Sequence, residues 1–187
     1  HTISALLLSD IHFDPFHDPA KVVRLAAAPA SEWEAILSGP ASADQAAAFA
    51  ALQRRCSARG VDTPYELFRS SLTAEQSEAR DAQFITVSGD LIAHGFGCRY
   101  TALVPGKTAK EYATFVAKTV DYVTTQLRST FPEVPVYAAL GNNDSGCADY
   151  RLDGASDFLT ATAKNVVAGL PNSADQKKAL ADFTAGG

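Results

Sequence analysis

The chain has 187 residues, close to half of them apolar and a fifth charged, which suits one globular domain with a sizeable core. A net charge of −5 argues against a nucleic-acid-binding surface, which needs a basic patch. It does not argue against a phosphorylated substrate, because bound cations supply positive charge locally. No apolar run reaches the length of a membrane span.

The chain opens on His1 and contains no methionine, so a processed or trimmed start is expected, and His1 carries no weight as a site residue. Ile3 to Ser9 (ISALLLS) is a short apolar run closed by Asp10 and predicts a buried strand. Residues 13–19 hold two prolines and two aspartates and read as a loop. Residues 20–80 are alanine-rich and helical in pattern, broken at Gly39-Pro40 and at Asp62-Thr63-Pro64. Within them Ser31 with Glu34 and Thr73 with Gln76 fit capping boxes.

Gln83 to Ser88 (QFITVS) predicts a second strand, with Gly89 and Asp90 directly behind it. Residues 94–107, with three glycines and a proline, read as a loop. Thr108 with Glu111 forms another capping box. Behind it Tyr112, Phe115, Val116, Val120, Val123 and Leu127 recur at the spacing of one helix face, and Pro132 closes the helix. Val134 to Leu140 predicts a third strand running into Gly141. Two further helices are expected near 155–169 and 173–183, the second with a capping box from Ser173 and Gln176. Strands near 3–9, 83–88 and 134–140 alternating with helices predict an α/β domain with parallel strands and right-handed crossovers. Ligands in such sheets bind beyond the carboxyl ends of the strands.

Those ends carry polar residues of one chemical kind: Asp10-Ile11-His12, Gly89-Asp90 and Gly141-Asn142-Asn143-Asp144. Carboxylate, imidazole and amide oxygen are ligands for divalent cations such as Zn, Mn and Fe. Residues two apart share a strand face, so Asp10 and His12 can aim at one point. A glycine before Asp90 or Asn142 permits a sharp turn at the sheet edge. Each piece alone also reads as a strand-terminating turn; three in this order, each after an apolar strand, are far less frequent by chance.

The order D-x-H, G-D, G-N-N-D resembles the calcineurin-like metallophosphoesterase superfamily, whose pattern is D-x-H, G-D, G-N-H-D/E. Two features resemble its acid sphingomyelinase-like branch, which includes endopolyphosphatases. One is Cys56 followed by Asp62-Thr63-Pro64 and a helix; the other is GDLIAH, with His94 four residues after Asp90. The resemblance covers about residues 3 to 150. It implies a partial metallophosphoesterase fold, a β-sheet sandwich flanked by helices, with this chain as the N-terminal part of one domain truncated at its C-terminus. It implies two divalent transition metals, zinc first: Asp10 and His12 on one, Asp90 bridging, Asn142 on the other. A water between the cations then serves as the nucleophile on a phosphodiester or phosphoanhydride. The implied partners are a phosphorylated small molecule, nucleotide, polyphosphate or phospholipid head group, and the branch implies an exported protein, although no signal peptide is present.

Two departures matter. The family's catalytic histidine is Asn143 here; asparagine donates a hydrogen bond but is no acid near neutral pH, so His94 becomes the expected proton donor. The family also supplies later histidine ligands, and no histidine follows His94, so this chain is expected to need a further segment to complete the second cation's shell. A decayed, non-catalytic binding module and a phosphomonoesterase of the same superfamily are the alternatives. For Cys56, Cys98 and Cys147, a Cys98–Cys147 bridge and three free thiols both stay open. His17 reads as a surface residue, Asp149, Asp153 and Asp157 as solvated charge, and Trp33 and Tyr65 as helix packing.

Overall fold

Three short apolar strands build one parallel sheet in the order β1 (Ala5–Leu8), β2 (Phe84–Val87), β3 (Val136–Ala138). The structure is a computed structural model that describes residues 2–147, 151, 154–170 and 173–186. Parallel neighbours need long crossovers, and helices supply them. Between β1 and β2 come α1 (Val22–Ala27), α2 (Trp33–Leu37), α3 (Gln45–Arg55) and α4 (Tyr65–Glu78). Between β2 and β3 come α5 (Phe96–Leu103) and α6 (Ala109–Thr130), and after β3 come α7 (Asp157–Val167) and α8 (Ser173–Gly186). The expected α/β architecture with parallel strands is present.

The register pairs Leu6 with Ile85 and Leu8 with Val87, and Ile85 with Val136. These side chains share one face, and Ile85, Val87 and Val136 are buried in the same core as Phe115, Val116, Val120, Val123 and Leu127 of α6. The expected α6 stripe is therefore the main wall of the core. Thr108 caps α6: its hydroxyl accepts from the Glu111 backbone N–H while the Glu111 carboxylate accepts from the Thr108 backbone N–H. Trp33 packs on Phe115 and Tyr122 and donates its indole N–H to the Leu25 carbonyl.

The opposite sheet face has no cover among the described residues. It carries Leu7, 73% exposed, paired with Thr86, which in turn pairs with Tyr137, 41% exposed. Parallel sheets rarely leave a face in water.

Three local expectations are corrected. Residues 94–107 are not all loop: α5 forms despite Gly97 within it, because Phe96 and Tyr100 bury against Phe16 and Phe115, and Arg99 is fixed by two carboxylates. Ser31 lies within a short 3-10 turn, and Glu34 accepts from the hydroxyls of Tyr65 and Tyr122 instead of capping a helix. Thr73 sits inside α4, where its hydroxyl donates to the Arg69 carbonyl. The Ser173 side chain, Asp149 and Asp153 lie outside the described residues.

Cys56 and Cys98 form a disulfide, with Cα atoms 5.8 Å apart, and Cys147 is a free thiol, so neither cysteine expectation holds. The helix at Phe96–Leu103, invisible in the composition of that segment, carries Cys98 to the end of α3.

Candidate metal centre

The loop after β1 runs alongside the loop after β2. Asp10 N–H donates to the Gly89 carbonyl, His12 N–H to Asp90, Phe13 N–H to Leu91, and Ala93 N–H back to Phe13. On its other side the first loop is pinned by Asp14 N–H to Thr63 and Thr63 N–H to His12. Asp10, His12 and Asp90 all adopt left-handed backbone conformations, with φ of 52°, 44° and 53°. That geometry is uncommon for side-chain-bearing residues and clusters at functional sites. It also corrects the expected reason for convergence: Asp10 and His12 meet through these turns, not through the alternation of a strand.

Two glycines let the β2 and β3 loops touch. A Cβ on Gly89, at φ +103°, would collide with the backbone of Leu140 and Gly141, and one on Gly141 with the backbone and carboxylate of Asp90. Buried Asp144 ties the same loops, accepting from the backbone N–H groups of Leu91, Ile92 and Gly141 at 2.8–3.0 Å. Burial pushes the Asp144 carboxyl up, and these three hydrogen bonds pull it back.

One ligand atom each from Asp10, His12 and Asp90 lies within 4.8 Å of the others. His12 Nδ1 is 3.1 Å from the Ile92 carbonyl, to which its N–H donates, so Nε2 is left as the lone-pair nitrogen. That Nε2 stands 3.6 Å from an Asp10 oxygen and 3.9 Å from an Asp90 oxygen. Such gaps are too long for hydrogen bonds, yet suit two donors on one cation at about 2.0–2.2 Å. The donor set therefore fits a divalent transition metal. The site is open: Asp10 is 66% exposed and borders only a small hollow of about 160 Å³. A roomier cleft, about 870 Å³ between α6 and α7, is lined by none of these three residues.

The β3 loop presents its residues differently. Asn142 is exposed, and its amide N–H donates to the Asn143 side-chain oxygen. Asn143 is buried; its backbone N–H donates to Asp90, and its amide nitrogen is 3.4 Å from His12 Nδ1. The structure thus gathers Asp10, His12 and Asp90 directly, with Asn143 against them and Asn142 joined through Asn143.

His94 stacks on His12, ring centroids 4.0 Å apart, and is not a partnerless loop residue: its Nδ1 lies 2.7 Å from Asp62. Asp62 also accepts from Arg99, and Arg99 from its other nitrogen donates to Asp14 at 2.7 Å. Arg99 and Asp14 are buried; burial raises the Asp14 carboxyl, and Arg99 opposes that shift. Sequence reasoning assigned no role to Asp62, Arg99, Asp14 or Asp144. The Asp-Thr-Pro at the start of α4 was the one signal that marked Asp62. His17 stays outside the cluster, packed on Phe49 and bonded to Gln45.

A carboxylate–imidazole–carboxylate cluster beyond the carboxyl ends of parallel strands, in an α/β domain, defines a candidate hydrolytic metal site. The family model for calcineurin-like phosphoesterases matches residues 3–185, and the chain belongs to that family. Membership points to metal-dependent hydrolysis of phosphoesters. No curated protein matches the chain in a sequence comparison. No helix among the described residues is long and apolar enough to cross a membrane.

Proposed function

We propose that the complete protein hydrolyses phosphodiester or phosphoanhydride bonds using two divalent transition-metal cations, zinc first and manganese or iron next. The observation that carries this reading is the convergence of Asp10, His12 and Asp90 donor atoms at the ends of β1 and β2. Asp10 and His12 would hold the first cation, Asp90 would be shared by the two, and Asn142 would bind the second. Bound there, the cations supply charge to neutralise phosphoryl oxygens and acidify water near neutral pH. The Asn143 side-chain amide would donate to a phosphoryl oxygen, and His94 would give its proton to the leaving oxygen.

The substrate belongs among phosphorylated small molecules, nucleotides, polyphosphates and phospholipid head groups, in keeping with the acid sphingomyelinase-like branch. The Asp62–His94 pairing, with Asp62 in that branch's motif and His94 in GDLIAH, supports the branch. The Cys56–Cys98 disulfide supports an exported protein, because such bonds persist in oxidising compartments. The uncovered sheet face supports reading this chain as the N-terminal part of a larger domain.

The test is hydrolysis of bis-p-nitrophenyl phosphate by the complete protein with added zinc or manganese, beside Asp90→Ala. Activity that survives undiminished in Asp90→Ala sinks the proposal. A second reading, a binding module on a decayed phosphoesterase fold, is favoured by the exposed Asn142 and by asparagine at position 143. Metal analysis separates the two: two equivalents of transition metal support the enzyme, and none supports the module.

A further inference from the structure

The stretch of chain that leads into Asp62 is positively charged. Residues 45–61 contain three arginines, Arg54, Arg55 and Arg59, and no aspartate or glutamate, in a chain whose net charge is −5. All three arginines are exposed, and among the described residues no side-chain hydrogen bond or ion pair holds any of them. Arg69 and Arg99, by contrast, lie beside carboxylates. Two arginines in the last turn of α3 also suit the negative end of its dipole. That accounts for Arg54 and Arg55 but not for Arg59, which stands beyond the helix.

The backbone keeps the three together and braces them beside the candidate metal centre. α3 ends at Cys56, and Ser57 turns into the left-handed region at φ 50°. The chain folds back there, with Ser57 N–H donating to the Arg54 carbonyl and Ala58 N–H to that of Gln53. The Gln53 side chain ties this turn down twice: its amide donates to the Gly60 carbonyl at 3.0 Å, and its oxygen lies 3.4 Å from the Arg99 guanidinium. The disulfide holds Cys56, next to Arg55, to Cys98, with Cα atoms 5.8 Å apart. Only three residues of chain lead from Arg59 to Asp62, so their Cα atoms lie within about 11 Å. Asp62 in turn meets His94, and one ligand atom from each of His12, Asp62 and His94 lies within 4.8 Å of the others.

We infer that Arg54, Arg55 and Arg59 form an anion-binding patch for phosphate groups of the substrate other than the one being cleaved, so that the substrate is a molecule with several phosphates in a row. Guanidinium suits this task because its planar fork takes two phosphate oxygens at once and keeps its charge at any working pH. Three such groups within residues 54–59 repel one another until an anion spans them. The patch sits in water, so its pull is screened beyond about 8 Å at physiological salt. A substrate with a single phosphate meets only the strand-end donors, whereas one with several is drawn in by both. The inference rests on the phosphoesterase reading and selects, among its substrates, those with more than one anionic group.

The experiment uses the complete zinc- or manganese-loaded protein with inorganic tripolyphosphate and with bis-p-nitrophenyl phosphate, which carries one phosphate. Arg54→Gln, Arg55→Gln and Arg59→Gln are combined in one variant. Arg59→Gln alone is matched with Arg80→Gln, an exposed arginine just ahead of β2 at the other end of the sheet, as a control for net charge. The triple variant should raise KM for tripolyphosphate about 10-fold with kcat unchanged, and the difference should shrink as salt is added. Its KM for bis-p-nitrophenyl phosphate should stay within about 2-fold. Arg59→Gln should act on tripolyphosphate, and Arg80→Gln on neither substrate. An equal change on both substrates, an unmoved tripolyphosphate KM, or as large an effect from Arg80→Gln would each overturn the inference. Adenosine triphosphate as a third substrate separates the sources: a response as large as that of tripolyphosphate supports a nucleotide, and one confined to tripolyphosphate supports an inorganic chain.

Binding of inositol hexasulfate, a polyanion with no phosphorus to attack, gives a readout that needs no turnover. Calorimetry should show tighter binding to wild type than to the triple variant, and a slope of log affinity against log salt that is smaller in the variant by about 1–2. Equal binding overturns the inference even if both substrates are cleaved, whereas absent turnover with arginine-dependent binding overturns the phosphoesterase reading instead. Phosphatidylglycerol vesicles complete the comparison, since Val61, two residues past Arg59, is 67% exposed. Arginine-dependent capture by vesicles with the tripolyphosphate KM unmoved would assign the patch to a membrane surface and overturn its role toward substrate.

Discussion

The loops after β1 and β2 and the loop after β3 carry the same kind of sequence, a turn with carboxylate, imidazole or amide side chains, yet they are built differently. The first two are laced together by four backbone hydrogen bonds between residues 10–13 and 89–93. They present their carboxylates and imidazole from left-handed turns. The third is attached through a glycine contact and the Asp144 carboxylate, buries Asn143, and leaves Asn142 in solvent. The lesson is that Asp10, His12 and Asp90 are brought within ligand distance of one another, while Asn142 is joined to them only through Asn143. The side of the site that is braced is the side that packs on the chain's own backbone.

Several changes would break or sharpen this contrast. The largest effect on stability is expected from Asp144→Ala, which orphans two buried N–H groups, of Leu91 and Ile92, and the part-buried one of Gly141. A loss of about 3–5 kcal/mol should appear in denaturant unfolding, and a loss below about 1 kcal/mol would mean the loops hold together without it. Removing the disulfide as Cys56→Ala with Cys98→Ala should cost about 2–4 kcal/mol. Since the bond closes a 42-residue separation beside Arg99, the same variant should loosen His94 more than His12, visible as faster amide exchange at residues 94–99.

Gly141→Ala should cost about 1–3 kcal/mol through overlap with Asp90. It should also weaken cation binding, because the Asp90 carboxylate must move; an unchanged metal affinity would show that the two loops can separate without disturbing the ligands. The smallest effect on stability belongs to Asn142→Ala, within about 0.5 kcal/mol for so exposed a side chain. If Asn142 reaches the second cation, metal analysis of the complete protein carrying this change should find one cation where wild type has two. Two retained cations would remove Asn142 from the ligand set.

Much of this architecture was legible in the chain before folding. The strands around Leu6, Ile85 and Val136, the α6 stripe and the Thr108–Glu111 cap are recorded by local periodicity and spacing. The same holds for the placement of Asp10, His12, Asp90 and Asn142 at strand ends, because a polar residue directly after an apolar run needs no distant partner to be recognised. What local pattern could not reveal are decisions made between distant segments. The pairing of His94 with Asp62 spans 32 residues, and that of Arg99 with Asp14 spans 85. The helix at Phe96–Leu103 contradicts its own glycine content, because aromatic burial and the buried Arg99 outweigh propensity. Which asparagine turns inward was settled by Asp90, whose carboxylate accepts the Asn143 N–H across 53 positions of sequence. Side-chain type and order therefore named the chemistry. Only the folded backbone, through hydrogen bonds and burial between segments remote in sequence, decided which atoms face the site and which brace it.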